Sequence, residues 1–460
     1  MSAVSMTRRA DPEFSDPRVM ATATAIEEYG SDALGTFAQG AYRGMGPVYD
    51  SQGTVRVIKT AHVRRFELTR EPEQFVTEDY ATSNSRALIP QNSLIITSTG
   101  VGSAGRVFAH QSQEILFADN HITIVPLRDA RHTAYLAAYL QSPYGYQQLL
   151  RLHRGSSRQI EIYPADVLSL QVPRLPDDAV TRIGEQWTKA VSDVRLARAG
   201  KAQADARLLQ DTGISSYEVE SPKSWSVPLM QLKRSGRVDA QAVEPAIAGL
   251  RSHLSKNGAV PLADLCLTIK KGLQPELYDP DGDIIVIKSK DVRFPGLDLD
   301  GCQRTSGINV EDCALNGGEL LVNMTGEGTL GRSGVCPTPG DDQVLVPSVD
   351  VVAATVNRDI ALPEYIAFFL NSNIGRRLST AVQTGSSGQQ HLYPVHFGLI
   401  PIPIRWLPSG QADLQWQRDV VAQADIEGRA ISLAREAGAE MDSEFISALG
   451  HTVDLDTIPR

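Results

Sequence analysis

Cysteine is scarce in this chain. Four of its 460 residues are cysteines, and none forms a CxxC pair or stands at a metal-ligand spacing from a histidine. They are Cys266, Cys302, Cys313 and Cys336. The pattern argues against a zinc or disulfide scaffold and predicts buried free thiols.

Long hydrophobic runs are also lacking. No window approaches the roughly 18 apolar residues that a bilayer span needs, and the apolar stretch 399–404 is short and interrupted by prolines. Residues 1–16 are polar and mixed in charge, without the apolar core of a secretion signal. We therefore expect a cytoplasmic protein.

An excess of positive charge is absent too. Lys and Arg number 44 against 54 Asp and Glu, a formal net charge of -10, which argues against a protein that coats nucleic acid without specificity. Residues 31–175 carry 14 basic and 12 acidic side chains, whereas 260–405 carry 11 and 17. Any contact of the second half with DNA must depend on a few well-placed cations, on neutral polar groups or on a basic partner.

Signatures of common catalytic sites are missing. The chain has no Asn-Pro-Pro or Asp-Pro-Pro motif of an amino-methyltransferase, and the nine histidines form no nucleophile or ligand pattern. Asp281-Gly282-Asp283 precedes Lys288 as in some metal-dependent nucleases, but we interpret it as an acidic turn, since the matching residues 52–54 are not acidic. The sequence predicts neither catalysis nor a metal site.

What the chain does contain is an internal repeat. Six blocks recur in the same order at a nearly constant offset of half the chain length. The strand-like residues 57–60 return as 286–289, the glycine-rich 99–106 as 325–332, and the polar 155–164 as 385–394. A period of half the chain is far too long for a solenoid and predicts a tandem duplication of a domain with its connector.

The glycine-rich block matches a dinucleotide-binding fingerprint, Gly100-x-Gly102-x-x-Gly105, with a twin at residues 326–331. Such a fingerprint opens a helix, whereas residues 106–108 and 334–336 have the pattern of a continuing strand. We therefore predict a glycine hairpin that brings backbone close to a binding partner, and no cofactor in this chain.

Each repeat is followed by a predicted long helix with one apolar stripe. Residues 179–211 carry Trp187 and Val194 on this stripe, and 414–445 carry Trp416, Val420 and Ile431. We expect the two helices to pack on each other as an antiparallel pair; the alternative is that each packs on its own domain. The boundaries that follow are a first domain at 1–176, a connector helix at 177–213, a second domain at 214–407, a second connector at 408–450 and a tail at 451–460.

This layout resembles the specificity subunits of type I restriction-modification enzymes over essentially the whole chain. The resemblance is carried by the ordered, duplicated features: strand 94–97 with its glycine turn, helix 135–145, turn 155–159, the proline-bounded strand end 172–176 and the helix after it. It implies an α+β fold made of two target-recognition domains, whose long helices pair as an antiparallel coiled coil with pseudo-twofold symmetry.

The resemblance also implies a role. Such a subunit is not an enzyme; each domain reads one part of a bipartite DNA sequence in an anti-phage defence system. Two methyltransferase subunits would dock on the helices and on the backs of the domains, and a motor-nuclease subunit would join them. S-adenosylmethionine and ATP would bind those partners.

Candidate DNA contacts fall in three places in each repeat. Arg, Lys, Asn and Gln can contact base edges, while Ser, Thr and backbone amides can hold phosphates. The polar loops contribute Arg154, Ser156, Ser157, Arg158 and Gln159 in the first repeat, and Thr384, Ser386, Ser387, Gln389 and Gln390 in the second. The strand ends contribute Lys59, Arg64, Arg65, Lys288, Lys290 and Arg293, and the glycine turns Arg106 and Arg332.

Two other interpretations stay open from the sequence. The chain could serve a complex that only methylates DNA or another defence complex, or it could be a protein-interaction scaffold without a DNA role. The amino-acid sequence does not predict the target bases, because the loops that recognise DNA bases vary freely in such a fold.

The modular arrangement predicts that the two repeats can be altered independently. Replacing Gln389 and Gln390 with alanine should relax specificity in one half-site only, as measured by selecting bound sequences from a random duplex library. An equal loss in both half-sites would contradict modular recognition.

Overall fold

A computed structural model describes residues 17–70, 73–100, 102–155, 160–214, 224–230, 232, 243–294, 297, 299, 301–326, 328–340, 343–384 and 391–450, with only the backbone at 17–19 and 425–431. The chain divides into two compact units, Met1–Arg195 with Ala430–Arg460, and Leu196–Arg429. Each unit joins one repeat to part of both long helices.

The first unit opens with helix α1 (Pro17–Tyr29). Its strands are β1 (Ser31–Ala33), β2 (Tyr42–Arg43), β3 (Val55–Ile58), β4 (Phe75–Val76), β5 (Leu88–Ile89), β6 (Ser93–Thr97), β7 (Val107–His110), β8 (Leu116–Ala118), β9 (Ile122–Pro126) and β10 (Gln171–Pro173). Its further helices are α2 (Leu34–Phe37), α3 (Glu78–Ser83), α4 (Arg131–Gln141), α5 (Pro143–Arg151) and α6 (Pro164–Val167), and the long α7 (Asp177–Asp211) follows. The main sheets have the orders β2-β9-β6-β7 and β4-β3-β8-β5.

The second unit repeats this plan. Its helices are α8 (Pro245–Lys256), α9 (Leu262–Leu265), α10 (Pro363–Asn371), α11 (Asn373–Val382), α12 (Pro394–Phe397) and the long α13 (Leu414–Leu449). Its strands are β11 (Val260–Pro261), β12 (Cys266–Lys271), β13 (Ile284–Ile287), β14 (Gln303–Thr305), β15 (Leu320–Asn323), β16 (Ser333–Val335), β17 (Val344–Pro347), β18 (Val351–Val356) and β19 (Pro401–Ile402). The main sheets are β12-β18-β15-β16 and β14-β13-β17.

Strand register confirms the predicted duplication. In each unit the second sheet contains one parallel pair, β3 with β8 and β13 with β17. Arg56 lies opposite Leu116, and Ile285 lies opposite Leu345, so both partners are displaced along the sequence by the same amount. Since a slip of one residue would turn every side chain to the other face, equal register means that this strand pair presents equivalent residues to the same faces in both α+β domains.

Three layers form the core of each domain. In the first, Leu94 and Ile96 of β6 pack with helices α4 and α5 on one face of their sheet. Ile95, on the other face, packs with Ile58 of the second sheet. In the second domain, Leu320 and Val322 face helices and Leu321 faces the second sheet. Strands buried on both faces explain the unbroken apolar runs of the sequence.

The single helix predicted over 135–145 is wrong in one respect, because the chain breaks it at Ser142. The Ser142 hydroxyl accepts a hydrogen bond from the Gly145 amide and so caps α5, whose first residue is Pro143. The second domain breaks at the equivalent Ser372, which accepts from Gly375. In both domains the serine therefore caps a new helix and does not extend the preceding one.

The long helices pack antiparallel in the first unit. Arg182, near the start of α7, forms an ion pair of 2.9 Å with Glu444, near the end of α13. Further along α7, Ala190 and Val194 pack on Ala434, which comes earlier in α13. The residue numbers of the contacts therefore increase along α7 as they decrease along α13, which confirms the predicted antiparallel pairing.

The second unit has the equivalent contacts. The indole N–H of Trp416, at the start of α13, donates to the Asp211 carboxylate at the end of α7, over 2.5 Å. Arg207 lies 3.7 Å from Asp419, and Leu208 packs in the same core as Val420. Antiparallel pairing is thus a feature of both units.

Antiparallel pairing of the long helices does not exclude packing on the domains, because each helix makes both kinds of contact. Trp187 is fully buried in the core of the first domain. Phe445 of α13 enters the same core, where its ring lies 5.4 Å from that of Tyr139. In the second unit the Trp416 ring lies 5.3 Å from that of Tyr365. The apolar stripes therefore bury against both a helix and a domain.

All four cysteines are free thiols, but the prediction that they are buried holds for only two. Cys313 and Cys336 are buried, whereas Cys266 and Cys302 are half-buried. Burial raises the pKa of the Cys336 thiol to about 12 and that of Cys266 to about 11. No helix in the described ranges combines the length and apolar character needed to cross a membrane.

The docking of α13 on the first domain predicts a stability difference along this helix. Phe445→Ala should lower the free energy of unfolding of the first unit by about 3–5 kcal/mol, because it removes a fully buried ring. Leu433→Ala, on the same helix but 47% exposed, should change it by less than about 1 kcal/mol. Urea denaturation followed by circular dichroism measures both, and equal effects would contradict this packing.

Candidate nucleic-acid interface

The two glycine-rich blocks form β-hairpin turns, as predicted. The first connects antiparallel β6 and β7, and the second connects β15 and β16. Gly102 and Gly328 have φ of 71° and 76°, a left-handed conformation that favours glycine, and a Cβ at either would meet open space. Gly102 and Gly328 are exposed, so each turn has one position at which bare backbone faces solvent.

The bases of the polar loops lie beside these hairpins. In the first domain Thr99 and Arg154 each form a β-bridge with Glu161, so the hairpin and both ends of the loop meet at one residue. In the second domain Thr325 and Thr384 each form a bridge with His391. Two features that lie far apart in the sequence thus form one site in each domain.

Most of the predicted loop residues lie outside the described part of the chain. These are Ser156, Ser157, Arg158 and Gln159 in the first domain, and Ser386, Ser387, Gln389 and Gln390 in the second. Their role in DNA contact stays a prediction. The flanking Arg154 and Thr384 are described and mark where the loops leave the hairpin bases.

Arg154 is engaged locally in its own domain. Its guanidinium forms an ion pair of 2.5 Å with Asp166 and lies 5.1 Å above the ring of Tyr163, which is 43% exposed. Among the described residues, the matching Thr384 contacts His391 through backbone hydrogen bonds and through its hydroxyl, which donates to the His391 carbonyl. The loop bases of the two domains therefore differ in charge although their backbones agree.

An arginine cluster lies at each glycine turn. Arg106 donates to the Gly102 carbonyl over 3.1 Å, and Arg332 donates to the Ser289 carbonyl. Burial lowers the pKa of Arg106, and the nearby charge of Arg64 lowers it further. At Arg332, burial again lowers the pKa first, followed by the like charges of two other arginines, Arg293 and Arg376.

Each cluster places one or two exposed arginines beside a partly buried one, Arg106 or Arg332. Repulsion between neighbouring guanidinium groups raises the free energy of the unbound state, and an anion between them would remove that cost. Arg376 was not identified from the sequence, because its counterpart in the first domain is the buried Tyr146. The clusters are suited to binding phosphate, and in the second the buried Asp291 offsets part of the positive charge.

The predicted strand-end lysines each lie over a tyrosine. Lys59 Nζ is 4.5 Å from the centre of the Tyr49 ring, and Lys288 Nζ is 4.2 Å from that of Tyr278. Lys290 behaves differently, since its ammonium donates to the Gly301 carbonyl over 2.9 Å and lies 3.6 Å from Asp291. Neither tyrosine was recognised from the sequence as part of a site.

Arg65 faces a helix of its own unit. Its guanidinium makes a two-pronged ion pair with Asp442 of α13, at 2.7 and 3.1 Å, and donates to the Gly438 carbonyl over 3.3 Å. The neighbouring Arg64 is exposed and makes a local hydrogen bond to the Val63 carbonyl. Of these two candidates, Arg64 is the one available to an external anion.

The candidate helix residues are buried within the chain. Trp187 and Val420 are fully buried, Trp416 is 2% exposed and Val194 is 8% exposed. The side chain of Ile431 lies outside the described part. A partner that docks on these helices would meet other side chains, on the opposite faces.

Solved structures of type I restriction-modification S subunits are similar to this chain. The S subunit from M. genitalium matches 91% of this chain and 94% of its own length, at 12% identity and a TM-score of 0.45. The HsdS subunit from Thermoanaerobacter tengcongensis matches 91% and 95%, at 15% identity and a TM-score of 0.28. A chain of another type I R-M system matches 91% and 96%, at 15% identity and a TM-score of 0.30.

No protein-family model matches the sequence, and no curated protein matches it with significance. The internal repeat is therefore the main evidence for the architecture at the level of sequence.

The geometry at Arg65 predicts different roles for two adjacent arginines. Arg65→Met should lower the free energy of unfolding of the first unit by about 1–2 kcal/mol, because it removes the two-pronged ion pair with Asp442 in a half-buried place. Arg64→Met should leave stability within about 0.5 kcal/mol of wild type. Urea denaturation of both variants checks this, and a larger loss in Arg64→Met would contradict the assignment.

Proposed function

We propose that this chain is the non-catalytic specificity subunit of a type I restriction-modification complex, and that it reads a bipartite DNA sequence with its two domains. One observation carries the proposal. Each domain brings a glycine hairpin, the base of a polar loop and an arginine cluster to the same end of its central sheet, at equivalent positions in the fold.

The chemistry of this site suits double-stranded DNA. The exposed Gly102 and Gly328 would let backbone N–H groups approach phosphates with no side chain at these positions, and arginine binds phosphate or guanine with two parallel hydrogen bonds. The adjoining loops carry Ser, Gln and, in the first domain, Arg, which can donate to or accept from base edges. Phosphate contacts would position each domain and loop contacts would supply sequence information.

Two copies of such a site in one chain favour a divided target. Each domain would read its own short sequence, and the helices α7 and α13 would set the number of bases between the two. Half-sites read from one face of the duplex are expected about one helical turn apart. The differences at the loop bases, Arg154 against Thr384, support two different half-sites.

The acidic composition supports action within a larger complex. With a formal net charge of -10, the isolated chain should bind DNA weakly and with a strong dependence on salt. We propose two methyltransferase subunits as partners and a motor-nuclease subunit in the complete assembly. S-adenosylmethionine and ATP would bind these partners.

The proposal predicts the outcome of a selection experiment. The full chain, alone and together with a methyltransferase subunit of its complex, is incubated with duplexes that contain a long randomised segment, and the retained DNA is sequenced. We expect two short conserved blocks separated by a fixed number of unconstrained base pairs. Failure to enrich any divided sequence would contradict the proposal and favour a scaffold without a DNA role.

Arginine variants test whether the described clusters contribute. Arg106→Gln and Arg332→Gln should each weaken binding to the selected duplex about tenfold, the size expected for one charged hydrogen bond. Arg128→Gln, which removes an exposed arginine outside the clusters, is the matched control and should change affinity less than about twofold. Equal effects of all three variants would show that only total charge matters.

A further inference from the structure

The two domains share a sequence motif that begins before β3 and β13. Residues 49–59 and 278–288 are identical at six of eleven positions. The shared residues in the first domain are Tyr49, Asp50, Gly53, Val57, Ile58 and Lys59. A duplicated chain that has diverged elsewhere has kept this segment in both copies.

The fold explains four of the six identities. The side chains of Asp50 and Asp279 accept from the backbone N–H two residues later and so shape the turn. A Cβ at Gly53 would lie 2.6 Å from the Val76 carbonyl oxygen, and a similar clash with backbone exists at Gly282 in the second domain. The shared valine and isoleucine are buried in the sheet core.

The tyrosine and the lysine are less buried than these four residues, although Tyr278 also packs against the core cluster that contains Val286. Tyr49 is 43% exposed, and Tyr278, Lys59 and Lys288 are half-buried. Yet each lysine has the same surroundings, with its ammonium over the tyrosine ring and hydrogen-bonded to a glutamine Oε1, of Gln74 or Gln303. We name these groups the lysine triads, one with Tyr49, Lys59 and Gln74 and the other with Tyr278, Lys288 and Gln303.

The lysine backbone is equally constrained. The amide N–H of Lys59 donates to the His62 ring over 3.1 Å, and that of Lys288 donates to the Asp291 carboxylate over 2.9 Å. A surface lysine ordinarily loses up to about 2 kcal/mol of side-chain entropy when it is ordered. In the triads, ring, amide and backbone contacts have already ordered it before any ligand binds.

The ordered ammonium groups keep unused hydrogen-bonding capacity. An ammonium has three donors, and the glutamine accepts from only one. Among the described residues neither Lys59 nor Lys288 forms an ion pair; the nearby Asp119 experiences the charge of Lys59 but is buried, and burial raises its pKa. A pre-ordered cation with free donors is a suitable contact for an external anion.

The triads contrast with the other candidate contacts. The loop bases differ at Arg154 and Thr384, and the second arginine cluster adds Arg376 to two arginines that both domains share. The triads are alike, which suits a task that does not depend on sequence.

We propose that the lysine triads are equivalent DNA-backbone anchors, one for each half-site, in which tyrosine and glutamine hold the lysine against a phosphate. This inference rests on the proposed function, since it takes DNA as the ligand. It assigns to Tyr49, Tyr278, Gln74 and Gln303 a positioning role.

Salt dependence of DNA binding tests the anchors. The full chain is titrated onto a random-sequence duplex and onto the selected target at several salt concentrations. Lys59→Ala and Lys288→Ala should each reduce the slope of log affinity against log salt by about 0.9, and the double variant by about twice that, on both duplexes alike. Lys189→Ala and Lys256→Ala, exposed lysines outside the triads, are the matched controls and should leave the slope unchanged.

Tyrosine variants test the positioning role. Tyr49→Phe and Tyr278→Phe keep the ring under the ammonium and should bind DNA like wild type, whereas Tyr49→Ala and Tyr278→Ala should weaken binding to both duplexes. Thermal unfolding of every variant separates this effect from loss of folding. If phenylalanine fails to preserve binding in stably folded protein, the ring is not what positions the lysine, and the inference is overturned.

The outcomes separate this inference from the proposed function. Wild-type protein that selects a divided sequence, with unchanged slopes in the lysine variants, leaves the function standing and overturns the anchors. A loss confined to the selected target would also overturn them, because it would make the lysines sequence readers. Wild-type protein that binds no duplex at all would overturn both.

Discussion

Burial of the central strand on both faces is the constraint on which the candidate site depends. Side chains of β6 alternate between helices on one side and a second sheet on the other, and those of β15 do the same. A strand enclosed in this way cannot offer polar groups along its length. Polar and charged groups can emerge only where it ends, and there the glycine turn, the loop base and an arginine meet.

The long helices depend on the same principle of double burial. Each has an apolar stripe wide enough to contact a helix of opposite direction and a domain at once, through Trp187 and Phe445 in one unit and Trp416 in the other. A single arginine, Arg65, links the first domain to α13 by a two-pronged ion pair, while the residue before it faces solvent. Neighbouring positions in the chain thus serve packing and the exposed surface separately.

Duplication makes the chain its own comparison. Some positions that agree between the domains are required by the fold, such as Gly53 and Gly282, and others are half-buried polar residues, such as Lys59 and Lys288. Positions that differ include Arg154 against Thr384 at the loop bases and Tyr146 against Arg376 beside the glycine turns. Under the proposed function, shared positions would hold the DNA and differing positions would recognise its sequence.

Much of this protein could be predicted from its sequence alone. The repeat, the α+β class, both long helices and the glycine hairpins follow from patterns that are local or recur at a constant offset, because strand and helix periodicity act within a few residues. Only the tertiary structure decided which distant residues meet. Nothing in the sequence pairs Arg65 with Asp442, joins Thr99 to Glu161 or places Lys59 over Tyr49, since these contacts depend on chain paths through the core. The tertiary structure also decided the break at Ser142, because helix capping competes with the apolar periodicity. It likewise decided that the apolar stripes of the long helices pack on the domains as well as on each other.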